Sequence, residues 1–227
     1  MKFIYHLEFP QNDAGTDYIT SDIHGNYTLL MDHLERLGFN FTTDRLFSVG
    51  DIIDRGQESE KCLDLLREPW FKPVLGNHEM MLASLLDNSS NIDQIRQSGG
   101  GWIDKYLDSP STIRRWTELI KLRMPVAITI KTNFGTVGIT HAQALVDWEE
   151  VRKGGFDIIP ILTSRSQITN PTNDFVKNIT FTIHGHTNVI KPTLISNRFW
   201  IDTIENTSQL CIMTLEQLEN ELNNAKR

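Results

Sequence analysis

Gly50-Asp51-Ile52-Ile53-Asp54-Arg55-Gly56 is the stretch that decides how this chain is read. The residues before it, Leu46-Phe47-Ser48-Val49, are strand-like, and from about Ser59 onward Cys62, Leu63, Leu65 and Leu66 supply the apolar residues of a helix. A buried strand that runs into a polar, glycine-bounded turn and then a helix is one unit of an α/β protein. The same unit stands on either side. Upstream, Tyr18-Ile19-Thr20 leads through Ser21-Asp22-Ile23-His24-Gly25 into a helix predicted over 27–37, with Leu30, Leu34 and Leu37 at helical spacing and Gly38 as its stop. Downstream, Pro73-Val74-Leu75 leads through Gly76-Asn77-His78-Glu79 into an apolar helix predicted over 80–86. Repeated in this way, the unit implies parallel strands joined by crossover helices, whose carboxyl-end turns open into one crevice.

The pattern changes after the third unit. Gly99-Gly100-Gly101 breaks the chain and 113–122 reads as a short helix, so a small helical cap is expected over about 88–125. Beyond Pro125, 126–130 and 136–140 read as an antiparallel pair around Thr132-Asn133-Phe134-Gly135. Thr180-Phe181-Thr182-Ile183 and Phe199-Trp200-Ile201 are further strands. The tail, about 215–227, places Leu215, Leu218 and Leu222 among acidic and amide residues and is expected to be a frayed surface helix.

Five strand ends deliver residues able to bind a metal: Asp22 and His24, Asp51, Asn77, His141, and His186. Taken singly, an Asp before glycine is ordinarily a turn former, a lone His a hydrogen-bonded rim residue, and an Asn after glycine a left-handed turn residue. Independent turn formers have no reason to be metal-compatible at every one of these strand ends. The donors are oxygen and imidazole nitrogen without thiolate, which suits Mn, Fe or Zn in a reactive site better than a structural zinc. Six ligands exceed one site, so two ions sharing a carboxylate are expected, with Asp51 as the bridge. One ion would take Asp22, His24 and Asp51; the other would take Asp51, Asn77, His141 and His186. His184 is expected on the opposite face from His186, Glu79 is read as a helix N-terminal carboxylate, and His6 and His33 as surface residues.

Composition narrows the classes. With 227 residues, 39% of them hydrophobic and 22% charged, the chain is a folded protein rather than a disordered segment or a disulfide miniprotein. Lys and Arg number 22 against 29 Asp and Glu, a net charge of −7, which argues against a nucleic-acid partner. Cys62 and Cys211 form no CxxC and suit a reduced compartment. His6 and Glu8 interrupt the N-terminal apolar run, and no stretch is long enough to span a bilayer, so a cytoplasmic protein without membrane attachment is expected. Arg67 stands one position too near Cys62 for a Cys-x5-Arg phosphate loop, and no glycine-rich loop ends in Gly-Lys-Ser/Thr. Cysteine phosphatases and P-loop enzymes are therefore set aside.

Asp22-x-His24-Gly25, Gly50-Asp51-x-x-Asp54-Arg55-Gly56 and Gly76-Asn77-His78-Glu79, followed by Thr140-His141-Ala142 and Gly185-His186-Thr187, resemble the ordered signature blocks of the phosphoprotein phosphatase (PPP) family of metallophosphoesterases. The likeness runs from about 18 to 203 and is strongest to its small phage-type members, which Pro69-Trp70-Phe71 and Gly99-Gly100-Gly101-Trp102 also resemble. The resemblance implies a calcineurin-like αβ sandwich, two central mixed sheets flanked by helices, as one domain over 1–227. It implies a phosphomonoesterase dependent on two divalent cations, Mn²⁺ first and Fe or Zn next, that removes phosphate from serine and threonine, and also tyrosine, of a phosphorylated protein or peptide. Carried onto matching positions, Arg55, Arg165 and Asn77 would grip the phosphoryl oxygens, while His78, oriented by Asp54, would protonate the leaving alkoxide. A monomer in bacterial or phage-infected cytosol is the corresponding setting. A diadenosine tetraphosphate hydrolase is the enzymatic alternative, and a non-catalytic metal-binding interaction module the alternative of another class. The chain departs from the phage-type pattern at Ile204-Glu205-Asn206-Thr207, where a glycine-rich stretch bordering the substrate cleft is expected.

Overall fold

The computed structural model describes residues 3–87 and 92–225. In its first part β1 (His6–Phe9) and β2 (Asp17–Thr20) precede α1 (Tyr27–Leu37), β3 (Arg45–Ser48), α2 (Ser59–Asp64), β4 (Phe71–Pro73) and α3 (Asn77–Ser84). β2, β3 and β4 pair in parallel, with Ile19 opposite Phe47 and Ser48 opposite Pro73, as the strand–turn–helix succession requires. α1 has its predicted bounds, and Gly38, at φ 67°, closes it in the left-handed conformation. Leu30 and Leu34 are fully buried, but Leu37 is 46% exposed, so the apolar face of α1 stops a turn short of what the leucine spacing suggests. α3 starts at Asn77 rather than at 80, because the Glu79 carboxylate accepts the Gly76 N–H and so caps the first turn.

Helices also fill the stretch where a cap is expected: α4 (Ile92–Gln97), a 3-10 segment over Gly101–Tyr106, and α5 (Pro110–Arg123). Residues 88–91 of that expectation lie outside the described residues. Trp116 packs edge-on against both Trp102 and Tyr106, with ring centroids 5.4 and 4.7 Å away.

The second part contains β5 (Ala127–Thr132), β6 (Gly135–Thr140), α6 (Trp148–Lys153), α7 (Ile158–Thr163), α8 (Ser166–Thr169), β7 (Phe181–His184), β8 (Thr193–Ile195), β9 (Arg198–Trp200), α9 (Ile204–Thr207), β10 (Ile212–Thr214) and α10 (Leu215–Ala225). Among the described residues the strands form two mixed sheets, in the orders β1-β5-β6-β7-β9-β8 and β10-β2-β3-β4. Side-chain alternation sorts them into layers. Ile128, Val137, Ile183 and Phe199 of the first sheet meet Ile19 and Phe47 of the second in a shared core. Leu46, one residue from Phe47, faces the other way into the core formed with α1 to α5, and Ala127, one residue from Ile128, faces Trp148 and Val151 of α6. The order is helices, sheet, sheet, helix.

Two expectations about the periphery are corrected. α10 is no frayed surface helix: Leu215, Leu218 and Leu222 are 3%, 0% and 2% exposed and join the core between the sheets. Their spacing puts them on one face, and β10, paired antiparallel with β2, brings that face to the core. His6 is half-buried, its Nε2 lying 2.7 Å from Thr129 Oγ1, which also accepts the Trp148 indole N–H. His33 is partly exposed, in keeping with the surface position expected of it.

Candidate active site

β6 and β7 are parallel, as are β2, β3 and β4, so the carboxyl ends of both sheets can open on one crevice. Asp51, just beyond β3, is its centre. Asp51 Oδ2 lies 3.2 Å from His141 Nε2, 3.7 Å from His78 Nε2 and 4.0 Å from His24 Nε2, while Oδ1 accepts the His78 backbone N–H at 3.1 Å. The donor atoms fall into two groups, His24–Asp51–His78 and Asp51–His141–His186, each with all its atoms within 4.8 Å of one another. Asp51 belongs to both. Asp22 stands beside the first, with Oδ2 3.9 Å from His24 Nε2 and both oxygens accepting the His186 N–H. Asn77 Oδ1 sits 2.9 Å from His141 Nε2. All six residues predicted to hold metal therefore come together. The grouping differs in one respect: His78, rather than Asp22, completes the compact group around His24.

The imidazoles are aimed from behind. His24 Nδ1 bonds the Ile53 carbonyl at 3.0 Å and His141 Nδ1 the Val49 carbonyl at 2.7 Å, which directs their Nε2 atoms at Asp51. The backbone that delivers these groups is unusual. His24, Asp51, Asp54, Arg55 and His186 all have positive φ, between 46° and 71°, a conformation that costs a non-glycine residue about 1 kcal/mol or more and that concentrates at functional sites. Gly185 makes room for the carboxylates: a Cβ there would stand 1.9 Å from Asp22 Oδ1. A Cβ on Gly76 would stand 2.2 Å from Asp51 Oδ1.

His184 does lie apart from His186, though alternation is not the reason. A strand's two-residue period would put both on one face; instead β7 ends at His184, and His186 turns left-handed at φ 62°. His184 is left fully buried, bonded to Thr140 and Thr182.

Asp22, Asp51, Glu79 and Asp202 are all at most 2% exposed. So many buried carboxylates are stable only with cations or protons among them. Burial, reinforced by the charges of Asp202 and Asp51, holds the Asp22 carboxyl well above its ordinary range. For Asp51 burial acts in the same sense, but the facing His141, His78 and His24 bring it well below. Burial lowers His24 and His186 to about 3, which leaves their ring nitrogens neutral, as metal ligands must be. Asp202 Oδ1 has no hydrogen-bond partner although buried. Oxygen and imidazole donors around a shared carboxylate, with acidic groups in excess, fit a pair of divalent cations.

Residues 18–209 match the sequence profile of the calcineurin-like phosphoesterases. The chain belongs to that family. The αβ sandwich and the phosphatase resemblance read from the motifs agree with it. Serine/threonine-protein phosphatase 2 of Salmonella typhimurium is 34% identical over 193 residues, 82% of this chain and 86% of the relative. A symmetrical bis(5'-nucleosyl)-tetraphosphatase of Pasteurella multocida is 39% identical over 134 residues, 58% of this chain and 46% of the relative. A crystal structure assigned to a diadenosine tetraphosphatase superposes with a TM-score of 0.65 at 18% identity, covering 94% of this chain and 98% of the other.

Around this cluster lie the other predicted residues. His78 Nδ1 is 2.7 Å from Asp54 Oδ2, and the other Asp54 oxygen accepts the Trp102 indole N–H at 2.7 Å. Burial opposes the imidazolium, yet Asp51 and Asp54 hold the His78 pKa up at about 9. Arg55 donates its backbone N–H to the Gly99 carbonyl, so the glycine run is where the chain passes close over the Asp54–Arg55 turn. Its guanidinium pairs with Glu205. Arg165 is exposed at the rim and donates to the His186 carbonyl at 3.2 Å.

Sequence reasoning missed three residues that the structure places in the candidate site. Glu79 is more than a helix cap: it accepts the N–H groups of Asp51, Ile52 and Ile53 as well as Gly76, and so holds the whole Asp51 turn. Burial and the Asp51 charge raise its pKa to about 7. Asp202 stands two residues beyond β9 as Asp22 stands two beyond β2, and an acid after Trp200-Ile201 was the available signal. Trp102 stood out only through the family likeness, and no local pattern tied it to Asp54.

Proposed function

We propose that the phosphoesterase is a protein serine/threonine phosphatase, with phosphotyrosine as a further substrate, that hydrolyses phosphomonoesters by direct attack of water on phosphorus. The observation that carries this reading is the His78–Asp54 pair beside Asp51: Asp54 holds Nδ1, and Nε2 faces the donor cluster 3.7 Å from Asp51 Oδ2. In this reading Asp22, His24 and Asp51 hold one divalent cation and Asp51, Asn77, His141 and His186 the other, with Mn²⁺ the first choice and Fe or Zn the next. When bound, such a pair acidifies water to give the nucleophile near neutral pH and polarises the phosphoryl oxygens.

The rest is done by the chain. Arg55, Arg165 and Asn77 hold the phosphoryl oxygens and neutralise the charge that grows on them during in-line attack. The bond from phosphorus to the serine or threonine oxygen breaks, and that oxygen takes the proton from His78 Nε2. Asp54 keeps Nδ1 protonated and the ring in place, and Trp102 fixes Asp54. A phosphorylated protein or peptide is the partner, handled by a monomeric, single-domain enzyme with a helical cap in the cytosol. The two cysteines, free of disulfide, support that compartment.

Sequence similarity over 82% of the chain to a serine/threonine-protein phosphatase favours this substrate class, whereas the sequence match to the Pasteurella multocida tetraphosphatase spans 58% of it. Hydrolysis of dinucleoside tetraphosphate is the second reading, favoured by that 39% identity. Phosphoserine, phosphothreonine and phosphotyrosine peptides assayed beside diadenosine tetraphosphate, all with Mn²⁺, decide between them. Faster turnover of the tetraphosphate would replace the first reading with the second.

A further inference from the structure

Glu205 lies in the segment where the chain departs from the phage-type pattern, on the single turn of α9. One of its carboxylate oxygens pairs with Arg55 Nη1, and the other accepts the Asn188 amide at 2.5 Å. Asn188 follows the His186 turn by two residues, so Glu205 ties the Arg55 turn to the His186 turn across the mouth of the site. The pair borders a cavity of about 280 Å³ whose wall includes His24, Asn26, Arg55, Gly56 and Ser208. Arg55 and His24, one of the donor-cluster residues, line the same cavity, so an anion seated there meets both. The two side chains are 37% and 44% exposed, so the contact is open to displacement by a ligand from solvent.

A carboxylate oxygen on a guanidinium N–H takes the place that a phosphate oxygen would take. We propose that Glu205 is an internal anion that occupies Arg55 between turnovers, so that substrate phosphoryl and product phosphate must both displace it. This rests on the phosphatase reading and adds a determinant of affinity to it. Glu205 weakens phosphate binding at Arg55, hastens release of the product, and disfavours substrates that bring further negative charge beside the scissile group.

The test is Glu205→Gln, with Glu216→Gln on the exposed face of α10 as a control for the same loss of charge. In the Mn²⁺-loaded enzyme acting on a phosphopeptide, Glu205→Gln is expected to lower KM and the inhibition constant of inorganic phosphate together. The factor is about two- to fivefold, the range that an exposed ion pair supports. kcat should not rise in proportion, and Glu216→Gln should change neither constant. Titration of inorganic phosphate into the same loaded proteins by calorimetry measures the affinity without turnover. Unchanged phosphate affinity in Glu205→Gln would overturn the proposal, and weaker affinity would make Glu205 a support for Arg55 rather than its competitor. A wild type that turns over no phosphopeptide would count against the phosphatase reading alone, since the calorimetric comparison still decides the role of Glu205.

Discussion

Replacing Glu79 tests most severely how the site is held. Glu79 is fully buried; its Oε1 accepts the N–H groups of Ile52 and Ile53 at 2.8 and 3.2 Å, and its Oε2 those of Asp51 and Gly76 at 3.0 and 3.1 Å. Glu79→Ala removes the acceptor of all four. A buried donor left unsatisfied costs about 1–3 kcal/mol, so if water entering the vacated space serves half of them the loss is about 2–6 kcal/mol. That is a large share of the roughly 5–15 kcal/mol by which such domains are stable. Glu79→Gln should cost less, because its amide oxygen keeps one pair of N–H groups while its NH₂ meets the other pair donor to donor. In both variants the Asp51 turn is released, and a displacement of the reacting groups of about 1 Å is enough to reduce kcat/KM by about 100-fold. Urea unfolding at one fixed Mn²⁺ concentration, beside hydrolysis of a phosphopeptide, measures both effects. If Glu79→Ala unfolds within about 1 kcal/mol of wild type, below the cost of even one orphaned donor pair, the four hydrogen bonds do not hold the turn and the reasoning is wrong.

Gly185→Ala sets a methyl group 1.9 Å from Asp22 Oδ1 and 2.5 Å from Val49 Cγ2, so elemental analysis should find less bound metal and hydrolysis should fall by about 100-fold. His78→Asn should lower kcat by about 10²–10⁴-fold, the usual contribution of a general acid, with metal content intact; loss of an ion as well would make His78 a ligand. Leu218→Ala, in the core between the sheets, should cost about 2–5 kcal/mol in urea unfolding while kcat below the transition stays at the wild-type value, because α10 lends the site no residue.

The parts of the molecule legible from the sequence are those where the local chain carries its own meaning. Asp22, Asp51 and Asn77 each follow a short apolar strand and precede a helix, so their convergence follows from βαβ topology alone. His141 and His186 are readable for the same reason, since 136–140 and 180–183 read as strands. What could not be read depends on burial or on residues distant in sequence. Glu79 looks like an ordinary first-turn carboxylate until the Asp51 turn is seen to fold back onto it, 28 residues away in the chain. The tail leucines of α10 have the same spacing whether exposed or docked, and only the pairing of β10 with β2 decides between the two. The contact of Glu205 with Arg55 spans 150 positions, and nothing local announces it.

The central claim is that a pair of divalent cations shares Asp51. Metal content after equilibrium dialysis against Mn²⁺, determined by elemental analysis of wild type and Asp51→Ala, tests it most directly. The account predicts two ions per chain in the wild type and loss of both, with loss of hydrolysis, in the variant. A wild type that binds no stoichiometric metal, or an Asp51→Ala variant that keeps both ions, would contradict it.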